Sequence, residues 1–408
     1  MILNLDSRLS RYTALLLTIA ITFVLVWNSA KSWISYEYAS DPPPGGLKKA
    51  ISIEEENADL YFLLGQYYDI YDFTAPREKA YSLYKKALRL NPFNYNYWFF
   101  LARFLGKEGR RDEAVFALEQ ATRLSPGVVS LRWGAGMLAS ELGGKELLLD
   151  NLRPVIANDP QRRTKAFTVL WQTLRNGEEI LNIIPDKVLP QYVHFLIGTK
   201  RVSEAAEAWG KLSSTGGEIP ESLFLRYVGF LISENELPAA KEAWTGRLGN
   251  WSGIWNGDFE NKILDGGFDW RIRSVDGSKI TQGTKNAKDN LIKIEFDGEH
   301  NVDFRHLSQV VPVEENSKYK LSSLMKTEYI STGNGLFWQV YCLNGKDLSS
   351  ESEHLRGTSD FRWVNLSFET PRGCSSVVVR LRREKSNKID NKISGTVWID
   401  KVVLEKEL

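Results

Sequence analysis

Two short stretches late in the chain carry the residue types that a ligand-binding surface needs. "GLFWQVYCL" (335–343) and "SSVVVRLRRE" (375–384) alternate with a period of two, so each predicts a strand with two different faces. In the first, Leu336, Trp338, Val340 and Cys342 form the apolar row, and Phe337, Gln339 and Tyr341 share the other face. In the second, Val377, Val379 and Leu381 are expected inward, with Val378, Arg380 and Arg382 outward. If the two strands share a sheet, Phe337, Gln339, Tyr341, Arg380 and Arg382 line one surface. Sugars are held by aromatic platforms and convergent hydrogen-bonding groups. Two arginines would suit an acidic or sulfated sugar, because guanidinium groups meet carboxylate and sulfate oxygens in pairs. The same residues also fit ordinary cross-strand pairs on a solvated face.

The closing stretch "SGTVWIDKVVL" (394–404) raises a second question. Simple alternation places Asp400 in one row with Thr396, Trp398, Val402 and Leu404. A buried carboxylate is costly unless compensated, so Asp400 either binds something or clamps the fold. Catalysis has less support. The chain has no GxSxG, no HExxH and no phosphate-cradling glycine loop before a helix. His194 sits in a helical phrase, His300, His306 and His354 lack partners at ligand spacing, and "ESEH" (351–354) reads as a polar loop. Four His and two Cys argue against a zinc site, and 52 Lys+Arg against 51 Asp+Glu give no reason to expect nucleic acid. The expectation is a protein that is not an enzyme.

The elements that position these residues change character at Trp251. Alanine-rich helical phrases give way to short alternating segments separated by Gly, Asn, Asp and Ser. Seven or more strands in about 150 residues predict an antiparallel β-sandwich. "LIKIEFDG" (291–298) puts Ile292, Ile294 and Phe296 on one face, and Trp270, Trp363 and Trp398 are expected to fill the core. Cys342 and Cys374 pair if the compartment is oxidising, or stay as two free thiols.

The order of phrases in this region carries a resemblance. "IWNGDFE" (254–260), "GFDW" (267–270), "LIKIEF", "LSQVVPVEENSKYKLSSLMKT", "WVNLSFETP" and "GTVWIDKVVL" follow one another over residues 254–408. This resembles the jelly-roll carbohydrate-binding modules of families 4, 9 and 22, within the galactose-binding-like fold. The resemblance implies a non-catalytic glycan-binding sandwich. It also implies a structural calcium ion where the first and last strands meet, held by Glu260, Asp400 and backbone carbonyls. Calcium takes oxygen ligands of this kind, and two inward carboxylates would otherwise repel each other. The alternative is that Asp400 only accepts backbone N–H groups.

Residues 47 to about 250 read as helices. Pro92, Pro126 and Pro160 recur at intervals of 34, in "LRLNP", "TRLSP" and "IANDP". That period marks two-helix tetratricopeptide units. Trp98, Leu101, Ala102, Leu105, Ala114, Leu118, Ala121 and Pro126 stand at the pattern positions of one unit. Tyr61, Leu64, Gly65, Tyr68, Ala80, Tyr84, Ala87 and Pro92 stand at those of the unit before it, and a third keeps Gly136 and Pro160. "SEAAEAW" and "LPAAKEAW" predict two looser units, with 162–180 as an irregular helix between. This region resembles the tetratricopeptide family, which implies a protein partner; a bare spacer is the alternative.

"YTALLLTIAITFVLVW" (12–27) contains no charge, and Arg8 and Arg11 precede it. It predicts a membrane-spanning helix with its N-terminus in the cytoplasm, the rival being a cleaved signal peptide. "SDPPPGG" (40–46) reads as a linker. The expected organisation is multidomain α plus β: a cytoplasmic tip and anchor at 1–40, a helical solenoid at 41–250 and a jelly-roll sandwich at 251–408. The function expected is a scaffold in the bacterial inner membrane with its C-terminal part in the periplasm or outside the cell. It would bind a partner protein and a glycan, as an accessory to surface polysaccharide synthesis, export or retention. An envelope assembly scaffold whose sandwich binds only protein is the alternative, and a glycoside-active enzyme is a lesser one.

Overall fold

The computed structural model describes residues 8–286, 289–345, 347–389 and 391–407. The expected cytoplasmic tip, residues 1–7, lies outside the described residues. The chain is multidomain α plus β and forms two compact units, one ending at Val188 and one beginning at Leu189.

The first unit is helical. It opens with α1 (Arg8–Ala39), a helix long and apolar enough to cross a membrane, whose Leu16, Phe23 and Trp27 are all exposed. "SDPPPGG" is a tight turn rather than a linker, because α2 (Gly45–Ile53) folds back on the end of α1 and buries Ser35 against Ala50. Helix pairs follow: α3 (Ala58–Ile70) with α4 (Arg77–Leu90), α5 (Tyr95–Lys107) with α6 (Arg111–Leu124), and α7 (Val129–Glu141) with α8 (Lys145–Asn158). Asn57 and Asn94 cap α3 and α5, each accepting a backbone N–H two residues on. Small residues set the pair spacing. Ala80, Ala87, Ala102, Ala114 and Ala121 are fully buried, and a Cβ on Gly136 would meet Leu152 at 2.8 Å. The buried Asp69 carboxylate is held by Arg77 at 3.0 Å, Lys107 at 3.2 Å and Tyr84 at 3.4 Å, tying the first pair to the second. The stretch 162–180 is two helices, α9 (Pro160–Leu174) and α10 (Gly177–Ile183), broken where Arg175 turns left-handed at φ 53°.

The second unit begins with α11 (Leu189–Gly198), α12 (Val202–Ser214), α13 (Glu221–Ser233) and α14 (Leu237–Leu248). Among the described residues ten strands follow: β1 (Arg271–Ile272), β2 (Ser278–Asn286), β3 (Asp289–Asp297), β4 (Phe304–Pro312), β5 (Lys318–Ile330), β6 (Phe337–Cys342), β7 (Ser349–Glu351), β8 (Gly357–Glu369), β9 (Ser376–Arg383) and β10 (Ser394–Lys406). They pair antiparallel in two sheets, ordered β1-β4-β9-β6-β7 and β2-β3-β10-β5-β8. The inner faces enclose one core that includes Trp270, Ile292, Ile294, Phe296, Trp338 and Val379. Trp244 of α14 joins this unit together. It is fully buried, with its ring 5.3 Å from Trp255 and 5.8 Å from Phe268. Gly267 has φ +59°, and a Cβ there would meet Trp244 at 2.3 Å, so glycine is required for this approach.

Two expectations for tryptophan are corrected. Trp363 is 48% exposed on edge strand β8, and Trp398 lies on the outer face of its sheet under Lys326, 5.4 Å from the ring centroid. Only Trp270 of the three is in the core. The cause on β10 is a bulge between Ile399 and Lys401. It adds one residue, so Val397 and Ile399 face inward before it and Val402 and Leu404 after it. Asp400 is that extra residue, outside any apolar row. Cys342 and Cys374 are bonded, with Cα atoms 5.8 Å apart, linking the end of β6 to the turn that enters β9.

Candidate ligand-binding face of the sandwich

β6 and β9 are hydrogen-bonded neighbours, with Gln339 opposite Arg380 and Phe337 opposite Arg382. Their inward row is the core row Trp338, Val340, Cys342, Val377, Val379 and Leu381. The other residues therefore share the outer face. Following the register outward gives one continuous row across five strands: Arg271 (β1), Ser308 (β4), Arg380 (β9), Gln339 (β6) and Glu351 (β7).

The row is wired in one direction. Arg380 donates Nε to Gln339 Oε1 at 2.8 Å, and Gln339 donates Nε2 to Glu351 Oε1 at 2.9 Å. Arg380 also lies 4.6 Å from the centroid of the Tyr341 ring. This contact orients the guanidinium and leaves its terminal nitrogens for other acceptors. The arrangement can hydrogen-bond a polar ligand along the row while Tyr341 offers ring surface beside it.

Arg382 does not join this surface. Its guanidinium binds the Asp303 carboxylate, Phe304 O at 3.3 Å and Arg383 O at 2.8 Å, and its side chain is only 13% exposed. Burial opposes the charge on Asp303, but Arg382 overrides it and holds that carboxyl below its usual range. Phe337 is covered as well. It is 2% exposed, with its ring stacked 4.2 Å from that of His354. Of the five residues expected from alternation, Tyr341 and Arg380 are partly exposed, Gln339 is 9% exposed and linked to Arg380 and Glu351, and Arg382 and Phe337 are held beneath other groups.

Arg271 and Ser308 enter the row without a signal in the sequence. β1 has two residues, too few to show alternation. Its position is fixed by the loop before it. Asp269 is fully buried, and its carboxylate accepts Leu264 N and Trp270 N, both at 2.7 Å. Burial pushes this carboxyl up to about 6 against those bonds.

The other expected pair lies on the opposite sheet. Glu260 is exposed and accepts Asn290 N at 3.0 Å, at the start of β3. Asp400 follows Ile399, which pairs with Ile292 of the same strand. Both carboxylates therefore border one end of β3, but neither is buried in the core, so the desolvation expected of two inward carboxylates does not arise. Among the described residues no cluster of three or more His, Cys, Asp or Glu side chains surrounds them.

In the helical unit, α4, α5 and α6 border an apolar groove of about 510 Å³ lined by Tyr81, Leu88, Trp98, Leu101, Leu105 and Phe116. Phe116 is 54% exposed at its edge. Of "NPFNYNYWFF", Tyr97 is buried and Phe93 is 80% exposed.

Residues 95–127, which are α5, α6 and the turn after them, match the tetratricopeptide repeat family. No curated protein sequence matches the chain. Among solved structures, a CBM4 module is 14% identical, with 38% of this chain and 99% of that one covered and a TM-score of 0.29. YrrB, a tetratricopeptide protein with an unusual peptide-binding site, is 17% identical, with 48% and 88% covered and a TM-score of 0.27. The enzymatically active domain of bacteriophage CBA120 tailspike protein 4 is 13% identical over 38% of this chain, with a TM-score of 0.28; the match spans only 21% of that chain.

Proposed function

We propose that this chain is a membrane-anchored, non-catalytic scaffold that binds a glycan on the outer face of the β1-β4-β9-β6-β7 sheet and a partner protein through its helical repeats. The observation that carries the glycan reading is the Arg380–Gln339–Glu351 relay beside Tyr341. It presents polar groups in fixed directions next to an aromatic ring, as sugar recognition requires. The tetratricopeptide match and the apolar groove beside Trp98 and Phe116 support the protein-binding half. The exposed apolar surface of α1 supports the anchor, and the Cys342–Cys374 bond suits an oxidising compartment such as the periplasm. An accessory role in making, exporting or retaining a surface polysaccharide follows from this combination. A calcium ion beside the start of β3, with Glu260 and Asp400 as its carboxylates and carbonyls as the remaining ligands, belongs to the same proposal.

A glycan array probed with the detergent-solubilised full chain tests the central half. The expected result is retention on a defined set of glycans, reduced by Gln339→Ala. A folded protein that binds no glycan on the array would refute it.

A further inference from the structure

Arg271 and Arg380 stand on the same outer face, each directly opposite Ser308 of β4. Two strand spacings separate their Cα atoms by about 10 Å. Among the described residues neither has a counter-ion within ion-pair distance. The ionisable groups near enough to influence Arg271 are Arg273, Asp265 and Tyr341, of which Tyr341 is neutral at ordinary pH, and among the described residues none is hydrogen-bonded to it. Asp265, the nearest acid among them, is instead gripped by Arg273 at 2.7 and 2.8 Å. Burial and the Arg273 charge both push the Arg271 guanidinium below its ordinary value. The face therefore holds a half-buried cation and, two strands away, a second cation, with Ser308 between them in the register. Such an arrangement is unfavourable until an anion arrives. The one carboxylate of the row, Glu351, is at its far end and is occupied by Gln339.

We infer that the glycan bound on this face is anionic, with its carboxylate or sulfate groups taken by Arg271 and Arg380 and its neutral hydroxyls by the Gln339–Glu351 end. This rests on the glycan reading of the same face. It differs from the pairing of Arg380 with Arg382 expected from alternation, because Arg382 is already neutralised by Asp303.

The test is a titration of the full chain in detergent with three probes: hexagalacturonate, a sulfated dextran oligosaccharide and neutral cellohexaose. The inference expects either anionic probe, or both, to bind, with affinity falling as salt rises, and cellohexaose to bind at least tenfold more weakly. Arg271→Ala and Arg380→Ala should each weaken anionic binding about tenfold or more, the scale of a lost charged hydrogen bond. The two lysine variants, which keep charge but lose the fork, should fall between. Lys326→Ala, on the other sheet, should leave binding unchanged. Melting curves confirm that each variant folds. Cellohexaose binding as tightly as the anionic probes would overturn the inference and leave the glycan reading standing. Anionic binding that survives both arginine substitutions would overturn it too. No binding to any probe would overturn the inference, while the array decides the broader reading.

Discussion

The two outer faces of the sandwich both carry charged groups and aromatic rings but arrange them differently. On the β2-β3-β10-β5-β8 sheet several groups are answered by a neighbour on the same face. Lys293 pairs with Glu295 at 2.7 Å, Ser322 donates to Asn365 at 2.8 Å, and Lys326 covers Trp398. On the β1-β4-β9-β6-β7 sheet the row runs from two cations that have no counter-ion among the described residues to one carboxylate, and the hydrogen bonds within it point one way. A solvated face has no need of the second arrangement, since cross-strand neighbours readily neutralise each other. On the glycan reading proposed above, unbalanced polarity rather than exposed aromatic area marks the ligand face. Trp363 and Trp398 lie on the β2-β3-β10-β5-β8 sheet, and the smaller Tyr341 on the other.

Three perturbations sharpen that contrast, taken from the largest effect to the smallest. The Cys342–Cys374 bond fastens β6 to the turn that enters β9, the two strands carrying Gln339 and Arg380. Cys342→Ala with Cys374→Ala should lower the unfolding free energy by about 2–4 kcal/mol in a denaturant titration, given a sequence separation of 32. No loss would mean that the face is held by its sheet alone.

The second concerns Asp269, which fixes the loop leading to Arg271. Its carboxyl is pushed up to about 6 in the folded state from an ordinary 3.8. Between those values the unfolded chain releases its proton first, so this group's contribution to stability falls as pH rises from about 4 to 6 and is level above. The stability of Asp269→Asn relative to the parent should therefore rise over that window, by up to about 3 kcal/mol. Parallel pH curves for the two proteins would show that Asp269 is ionised in both states alike.

The smallest expected effect is on the other face. Trp363→Ala with Trp398→Ala should change glycan affinity less than about twofold, since neither ring lies on the binding row. A large loss would move the site to the other sheet.

Much of this was legible before the structure, for physical reasons that also mark the limits. The uninterrupted alternation of 335–343 and 375–384 gave the correct inner and outer rows because those strands carry no bulge. β10 misled because Val402, Val403 and Leu404 satisfy either phase, so nothing in composition reveals the extra residue at Asp400. The prolines at intervals of 34 revealed the repeats because each ends a helix pair. Arg271 stayed hidden because a two-residue strand has no period, and its place depends on a buried carboxylate and a glycine packed on Trp244. Arg382 looked equivalent to Arg380; only the loop bearing Asp303 distinguishes them.

The central claim is that a glycan lies along the Arg271–Ser308–Arg380–Gln339 row. Hydrogen–deuterium exchange of the full chain, with and without each of the two anionic probes, hexagalacturonate and the sulfated dextran oligosaccharide, locates the ligand directly. The account predicts slowed exchange in peptides covering 271–272, 304–312, 337–342 and 376–383, with 357–369 and 394–406 unchanged. Protection confined to those last two segments, or none at saturation with either probe, would contradict it.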